Sequence, residues 1–82
     1  MARYRVRYVT HATDQRDQLP CSMRTAFDAR VGDLERDPYA IGRYDKREGS
    51  YTTTFGEAGI IVYTASNQID MVTIIRILCV EW

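Results

Sequence analysis

The sequence predicts an α+β fold in which two helices pack on one face of a four-stranded, twisted and mostly antiparallel sheet. Polar and apolar residues alternate at the start of the chain, apolar residues recur every three or four positions in the segment that follows, and β-branched and aromatic residues dominate from Ser50 onward. These patterns give the order strand, helix, helix, strand, strand, strand. No linker or repeat divides the 82 residues, so residues 1–82 are expected to form a single domain.

The first predicted element is a strand from Ala2 to Val9. Over residues 3–8 it reads Arg-Tyr-Arg-Val-Arg-Tyr, so that every second side chain is basic. Because successive side chains of a strand point to opposite faces, the apolar face packs on the core and the arginines lie on the other face. We expect this strand to join the sheet beside the last strand, through a helical crossover.

Two helices are predicted next, and Leu19-Pro20 separates them. Proline is tolerated only in the first turn of a helix, so a short helix ends before Leu19 and a longer one runs from about Pro20 to Arg36. The longer helix has one apolar stripe, made of Met23, Phe27, Val31 and Leu34. Asp37-Pro38 ends it, because the residue before a proline is pushed out of helical geometry.

The rest of the chain predicts an antiparallel meander of three strands. The segment from Tyr39 to Gly49 precedes it and is either a loop or a loop with a short edge strand. The strands are Tyr51–Phe55, Ile60–Ala65 and Ile69–Val80, joined by short turns. In the last strand we expect the odd-numbered positions from 69 to 77 to face the core. The even-numbered positions, which include Arg76, are expected to face away from the helices.

The charge balance bears on which partners the chain can bind. It has 11 basic and 11 acidic residues, and this net charge of zero argues against nucleic-acid binding by bulk electrostatics. The basic residues are unevenly placed, however, since all but one of them precede position 48. A local basic surface is therefore still expected.

Other features of the sequence exclude further classes of protein. The longest stretch without a charged residue runs from Ala58 to Ile69, which is too short and too polar for a membrane-spanning helix. Two cysteines, Cys21 and Cys79, are too few for a disulfide framework and predict reduced thiols. No spacing of cysteine and histidine suggests a metal site, and no glycine-rich loop suggests a nucleotide cofactor. We therefore expect a cytoplasmic protein without metal, cofactor or membrane contact.

The candidate functional residues are basic. Arg76 interrupts an apolar strand, where a guanidinium costs free energy unless it is solvated or paired. If the first and last strands are neighbours, Arg5 and Arg7 approach Arg76 on the face without helices. Lys46 and Arg47 would reach the same face from the loop. Such a cluster would bind the phosphates of RNA.

Alternatives stay open for these residues. Arg76 would instead pair with a carboxylate such as Asp70 or Glu57, and the arginines of the first strand would only protect an edge strand from aggregation. Arg43 and Tyr44 lie in the charged loop before the meander. Tyr44 is expected to be partly exposed and so available for stacking on a base.

Together these segments resemble the toxins of the RelE/ParE superfamily, the toxic half of type II toxin–antitoxin pairs. The resemblance covers nearly the whole chain. The matching segments are the strand Tyr4–Tyr8, Ala12, Leu19-Pro20, the run Leu34–Tyr39, Gly42, the hairpin Phe55–Tyr63 and the strand Ile74–Leu78. The last of these is similar to a run that is common in ParE-like members.

The resemblance implies a compact fold with two helices against a twisted sheet, and an antitoxin that wraps the toxin. RelE-like members are mRNA interferases, endoribonucleases that cleave mRNA in the ribosomal A site and so inhibit translation. Basic residues of their concave sheet face stabilise the phosphate transition state. Here this implies Arg76, Lys46 and Arg47 as catalytic residues. The RNA-binding residues expected beside them are Arg5, Arg7, Arg43 and Tyr44.

The sequence departs from the family pattern at positions that matter for catalysis. Family members often carry arginine where this chain has Thr52 and Gly59, and Cys79 stands where the ParE-like run commonly has histidine. Three functions stay open: an mRNA endoribonuclease, a toxin without nuclease activity that acts by protein binding, and an unrelated small α+β domain. ParE-like members, for example, poison DNA gyrase. The expected partners are a cognate antitoxin, the ribosome with its mRNA or DNA gyrase, and a second copy of the chain in a homodimer.

Overall fold

The computed structural model describes residues 3–79, which form five strands and three helices. In chain order these are β1 (Arg5–Tyr8), α1 (Thr10–Asp17), α2 (Cys21–Arg36), α3 (Pro38–Ile41), β2 (Arg43–Asp45), β3 (Ser50–Phe55), β4 (Gly59–Ser66) and β5 (Met71–Cys79). The α+β class and the order of the main elements are confirmed. The strand count differs, since the loop before the meander contains the short edge strand β2. Ala2 and Val80, which ended two predicted strands, lie outside the described residues.

The sheet has the strand order β1-β5-β4-β3-β2. β1 runs parallel to β5, and the other neighbours are antiparallel. A parallel pair needs a crossover connection, and α1 and α2 supply it on one face of the sheet. The expectation that the first strand lies beside the last one is confirmed. The arrangement that would have favoured an unrelated small domain, a different neighbour for β1, is not what the chain adopts.

The core lies between α2 and the sheet. Phe27 and Leu34 of α2 are fully buried, and the Phe27 ring meets the Phe55 ring edge to face, with the ring centroids 5.3 Å apart. Met23 and Val31 complete the apolar stripe as partly buried residues packed on the same core. The predicted spacing therefore places α2 correctly, because residues four and three apart share one side of a helix.

A one-turn helix, α3, follows α2 at Asp37-Pro38. The Asp37 carboxylate accepts hydrogen bonds from the backbone N–H groups of Tyr39 and Ala40, and Pro38 occupies the first turn. The Tyr63 hydroxyl donates to the Pro38 carbonyl oxygen and so ties α3 to the sheet. One Asp-Pro pair therefore ends one helix and caps the next.

β5 contains a β-bulge that changes which side chains face the core. Tyr63 pairs with Ile74, but the preceding residue of β4, Val62, pairs with Arg76, so Ile75 is an extra residue in β5. The buried side chains of β5 are Val72 and Ile74 before the bulge, and Ile77 and Cys79 after it. The expectation that odd-numbered positions face the core is therefore wrong before the bulge and correct after it, because one extra residue reverses the alternation.

Candidate functional site

The face of the sheet that points away from α1 and α2, called the open face below, carries most of the residues singled out in the sequence. Strand register defines its members, because paired residues share a face. They are Arg5 and Arg7 in β1, Met71, Thr73, Arg76 and Leu78 in β5, Ile60, Val62, Thr64 and Ser66 in β4, Ser50, Thr52 and Thr54 in β3, and Arg43 and Asp45 in β2. All four arginines of this face are exposed.

One row of paired residues crosses the open face from edge to centre. Arg43 pairs with Thr52, Thr52 with Val62, and Val62 with Arg76. Neighbouring strands lie about 4.8 Å apart, so the Cα atoms of Arg43 and Arg76 are separated by roughly 14 Å. The row therefore has a cation at each end and uncharged side chains between them.

The two arginines of β1 flank Arg76 on its other side. Arg5 lies opposite Met71 and Arg7 opposite Thr73. From Thr73 to Arg76 is three residues along β5, which places Arg7 roughly 10 Å from Arg76. The open face thus carries Arg5, Arg7 and Arg76 on the neighbouring strands β1 and β5, and Arg43 on the opposite edge strand β2.

Lys46 and Arg47 lie in the turn between β2 and β3, where the Asp45 carboxylate accepts the Arg47 backbone N–H at 2.8 Å. This turn is at the end of the sheet where β5 begins, and two to three strands away from it. Strand geometry puts it roughly 15 Å from Arg76. This distance is similar to that between Arg43 and Arg76, but Lys46 and Arg47 lie in the turn beyond β2 and not on the open face itself.

Tyr44 lies on the other side of the sheet from the arginines. It pairs with Tyr51, and the two ring centroids are 5.0 Å apart. Tyr51 in turn stacks on the buried Tyr63, whose side chain belongs to the core. Tyr44 is 51% exposed, as the sequence predicts, but strand alternation places it on the opposite face from Arg43. The grouping of Tyr44 with the arginines as one RNA-binding surface is therefore not what the fold provides.

Ion pairing divides the molecule into two parts. In residues 3–79 the ion pairs are Arg16–Asp17, Arg24–Asp28, Arg30–Asp33 and Arg36–Asp33, all of them within α1 or α2. None of these pairs includes an arginine of the open face. The alternative in which Arg76 pairs with Asp70 or Glu57 is therefore not found among the described residues.

The open face carries four arginines, the carboxylate of Asp45, and neither histidine nor cysteine. Arginine donates five N–H groups and accepts none. His11 lies in the first turn of α1, on the helix side. Burial raises the pKa of the Tyr63 hydroxyl to about 12, and burial also raises the pKa of Tyr8 and of Tyr39. The chemistry within reach of this face is therefore electrostatic, the binding of anions and the stabilisation of negative charge.

Neither a metal-binding cluster nor a membrane-spanning helix is found among the described residues. Within the described range no group of three histidine, cysteine or acidic side chains is placed to hold a metal ion. No helix among these residues is long and apolar enough to cross a membrane.

The comparisons with known proteins give a fold and no sequence family. No family model matches the chain, and no curated protein matches it in sequence. A chain of the toxin–antitoxin complex RelBE2 from Mycobacterium tuberculosis superposes with a TM-score of 0.85 and 26% identity, over 95% of this chain and 99% of that one. A chain of the E. coli RelBE complex gives a TM-score of 0.81 and 14% identity over 96% and 99%. The archaeal RelE-RelB complex of Pyrococcus horikoshii OT3 gives 0.70 and 14% over 93% of each chain.

The chain has a RelE-type toxin fold. Positions 52 and 59, where the sequence lacks the arginines of the family pattern, differ in their place in this fold. Thr52 lies on the open face, in the row between Arg43 and Val62. Gly59 is buried, and a Cβ atom built there would overlap the Phe55 ring. An arginine therefore fits the face of this RelE-type fold at position 52 and not at position 59.

Sequence reasoning missed one residue that supports this face. The backbone N–H of Ile77 donates to Oε1 of Gln15, in α1, at 2.8 Å. Nothing about Gln15 itself marks it in the sequence. A hint was present in β5, because Arg76 and the core residues Val72 and Ile74 all have even numbers. A regular strand would place all three on one face and bury the arginine, so an irregularity in this strand could have been expected.

Proposed function

We propose that the chain is the toxin of a type II toxin–antitoxin pair and that it acts as an mRNA endoribonuclease on the ribosome, in the cytoplasm. Its RelE-type fold supports the toxin role, since the similar chains come from toxin–antitoxin complexes. The observation that carries the RNA proposal is the open face itself. Four exposed arginines lie on it, and none of them takes part in the ion pairs found within residues 3–79.

Unpaired arginines suit a phosphate ligand for two reasons. The guanidinium group forms bidentate hydrogen bonds to phosphate oxygens, and it is more weakly hydrated than an ammonium group, so less solvation is lost on binding. An arginine that already has a carboxylate partner would have to break that pair first. A face whose arginines have no such partner within residues 3–79 is therefore ready to bind a phosphate backbone.

The position of each residue suggests its role. Arg76 lies in an interior strand of the sheet and would stabilise the charge that develops at the scissile phosphate. Arg7 and Arg43, on either side, would bind neighbouring phosphates of the same strand. Lys46 and Arg47 would hold the RNA backbone where it leaves the sheet at the β2–β3 turn, rather than contact the same phosphate as Arg76.

Three further residues take supporting roles. Arg5, beside Arg7 in β1, would extend the phosphate contacts, and Tyr44 would offer its exposed ring to a base that passes around the β2 edge. A cognate antitoxin would neutralise the toxin by covering this face. Leu78 supports that role, because it is a large apolar side chain left 38% exposed among the arginines.

The test is inducible expression in a bacterial host, with growth recorded and mRNA 5′ ends mapped in the same culture. We expect growth arrest and new mRNA ends within translated regions. Arg76→Ala should abolish both. The matched control is Arg24→Ala, which removes an exposed arginine of α2 on the helix side and should leave toxicity intact. Growth without arrest on expression of the parent chain would reject the toxin role.

A second function is favoured by one observation on the same face. The central strands β3 and β4 present only hydroxyl and aliphatic side chains there, which are Ser50, Thr52, Thr54, Ile60, Val62, Thr64 and Ser66. Such a surface suits a protein partner, and ParE-like toxins poison a protein, DNA gyrase. Inhibited DNA supercoiling with intact mRNA in the arrested culture would favour this function over the ribonuclease.

A further inference from the structure

The direction of Arg76 depends on the bulge in β5. Before the bulge, Val72 and Ile74 are fully buried, so a regular strand would bury Arg76 as well. The extra residue Ile75 reverses the alternation, so that Arg76 is exposed and Ile77 is fully buried. A guanidinium in this core would have no carboxylate partner in the described residues, and its burial would be prohibitive. The bulge is therefore what makes Arg76 available to a ligand.

The bulge lies at a point where β5 loses one neighbour. β1 pairs with β5 only as far as Tyr8 and Ile74, and the Val9 N–H makes the last backbone contact, to the Ile74 carbonyl, at 3.1 Å. Beyond that point no strand of the described part of the chain covers this edge of β5. The N–H of Ile77 therefore has no β1 partner, and the side chain of Gln15 accepts it from α1.

We propose that Gln15 is a positioning residue for Arg76. Its Oε1 accepts the Ile77 N–H where the parallel strand has ended, and this bond holds the segment after the bulge in the register that directs Arg76 to the open face. The consequence for RNA binding rests on the function proposed above. The structural step, from Gln15 through the Ile77 amide to the exposure of Arg76, stands independently of it.

Loss of the Gln15 acceptor leaves a partly buried N–H without a partner, and such a group is costly. The segment after the bulge would relieve this cost by opening toward water. Arg76 would then sample several positions instead of one. We expect RNA affinity to fall on the order of tenfold, which is the effect of losing one hydrogen bond to a partly buried group.

The experiment compares three variants of the full chain. Gln15→Met keeps the length and volume of the side chain and removes the acceptor. Gln15→Glu keeps an oxygen acceptor at the same place and serves as the conservative rescue. Gln18→Met is the matched control, since Gln18 is an exposed glutamine just beyond the end of α1.

Three readouts separate positioning from general stability. The first is hydrogen exchange of the Ile77 amide by NMR, relative to the Ile61 amide on the neighbouring strand. The second is the rate of phenylglyoxal modification at Arg76, quantified by mass spectrometry with the helix arginines as internal references. The third is the affinity for a short single-stranded RNA oligonucleotide.

With Gln15→Met we expect faster exchange at Ile77 than at Ile61, an altered modification rate at Arg76 and weaker RNA binding. Gln15→Glu should restore the parent values, and Gln18→Met should not change them. Parent-like exchange and Arg76 reactivity in Gln15→Met would overturn the proposal. If Gln15→Met does not fold, Gln15→Glu decides, because parent values support the role of the acceptor and altered values at Ile77 and Arg76 overturn it.

Failure of the proposed function gives a different result. If the chain does not act on RNA, the oligonucleotide arm shows no binding by the parent chain, while the exchange and modification arms still respond to Gln15→Met. If only the positioning proposal fails, Arg76→Ala weakens RNA binding and Gln15→Met does not.

Discussion

The two faces of the sheet use arginine in opposite ways. On the helix side, every arginine of α1 and α2 has a carboxylate within ion-pair distance, as in Arg24 with Asp28. On the open face, no arginine has such a partner among the described residues. The arginines of α1 and α2 are therefore paired with carboxylates of their own helices, whereas the arginines of the open face are available to a ligand.

This difference explains why the net charge of zero is a poor guide to function. The helices α1 and α2 hold four arginines and five acidic residues, whereas residues 3–9 and 42–79 hold seven basic and four acidic residues. The helix side is thus slightly acidic and the sheet side basic. Nucleic-acid binding depends on the local arrangement of charge, which a sum over the whole chain conceals.

The largest effect should come from adding an arginine to the wrong face. Gly59→Arg would place a long, charged side chain against the Phe55 ring in the core, and we expect a loss of about 4 kcal/mol or more of folding free energy. Thr52→Arg is the matched variant on the open face and should change stability by about 0.5 kcal/mol or less. Urea unfolding measures both. Equal losses would show that the two positions do not differ as the register indicates.

Thr52→Arg also tests the open face in a gain of function. The new guanidinium would lie in the row between Arg43 and Arg76, and so shorten the distance between neighbouring positive charges in that row. We expect tighter binding of a single-stranded RNA oligonucleotide and a steeper decrease of affinity with salt, because one more phosphate contact releases one more counterion. An unchanged salt dependence would place the RNA elsewhere on the molecule.

The next effect concerns the core under the helices. Phe27→Ala removes a fully buried ring that packs on Phe55, and it should cost about 3–5 kcal/mol. Leu78→Ala removes a partly exposed side chain of the open face and should cost about 1 kcal/mol or less. Thermal and urea unfolding of the two variants give the comparison. Similar losses would mean that the open face contributes to the core, contrary to the fold described.

A smaller effect is expected at Tyr63, together with a pH dependence. Tyr63→Phe removes the hydrogen bond to the Pro38 carbonyl and should cost about 0.5–1.5 kcal/mol at pH 7. In the folded chain the pKa of Tyr63 is raised to about 12 by burial. The folded chain therefore keeps a proton that the unfolded chain has lost from about pH 10 upward, and stability falls as the pH rises through that window.

Tyr63→Phe should reduce this loss of unfolding free energy at high pH. Urea unfolding at pH 8 and pH 10.5 is the measurement, and the difference between the two pH values should be smaller for Tyr63→Phe than for the parent chain. Some of the loss should persist, because burial also raises the pKa of Tyr8 and of Tyr39. A pH dependence as large as that of the parent would contradict the assignment to Tyr63.

The smallest effect on stability is expected from the arginines themselves. Arg24→Ala breaks an exposed ion pair with Asp28, one helical turn away, and should cost about 0.5 kcal/mol or less. Arg76→Ala should cost no more, because Arg76 is exposed and without an ion-pair partner in the described residues. Only Arg76→Ala should weaken RNA binding. Equal binding by the two variants would remove the functional distinction between the faces.

The sequence by itself determined most of the elements. The alternation in β1 placed its arginines on one face, the spacing of Phe27 and Leu34 placed α2 on the core, and Asp37-Pro38 marked the end of that helix. Each of these patterns is local, because strand and helix periodicity follow from the backbone geometry of a few successive residues. For the segment that contains β2, local patterns left two possibilities open, a loop or a loop with a short edge strand.

Tertiary structure alone decided how the arginines assemble. The register across β2, β3, β4 and β5 brought Arg43 and Arg76 to one face and put Tyr44 on the other, and no local pattern contains that register. The bulge at Ile75 set the direction of Arg76, and it depends on the pairing with β4 and on the hydrogen bond to Gln15, neither of which β5 alone specifies. The residues that bear the charge are thus readable in the sequence, whereas the surface they form is a product of contacts between residues far apart in the chain.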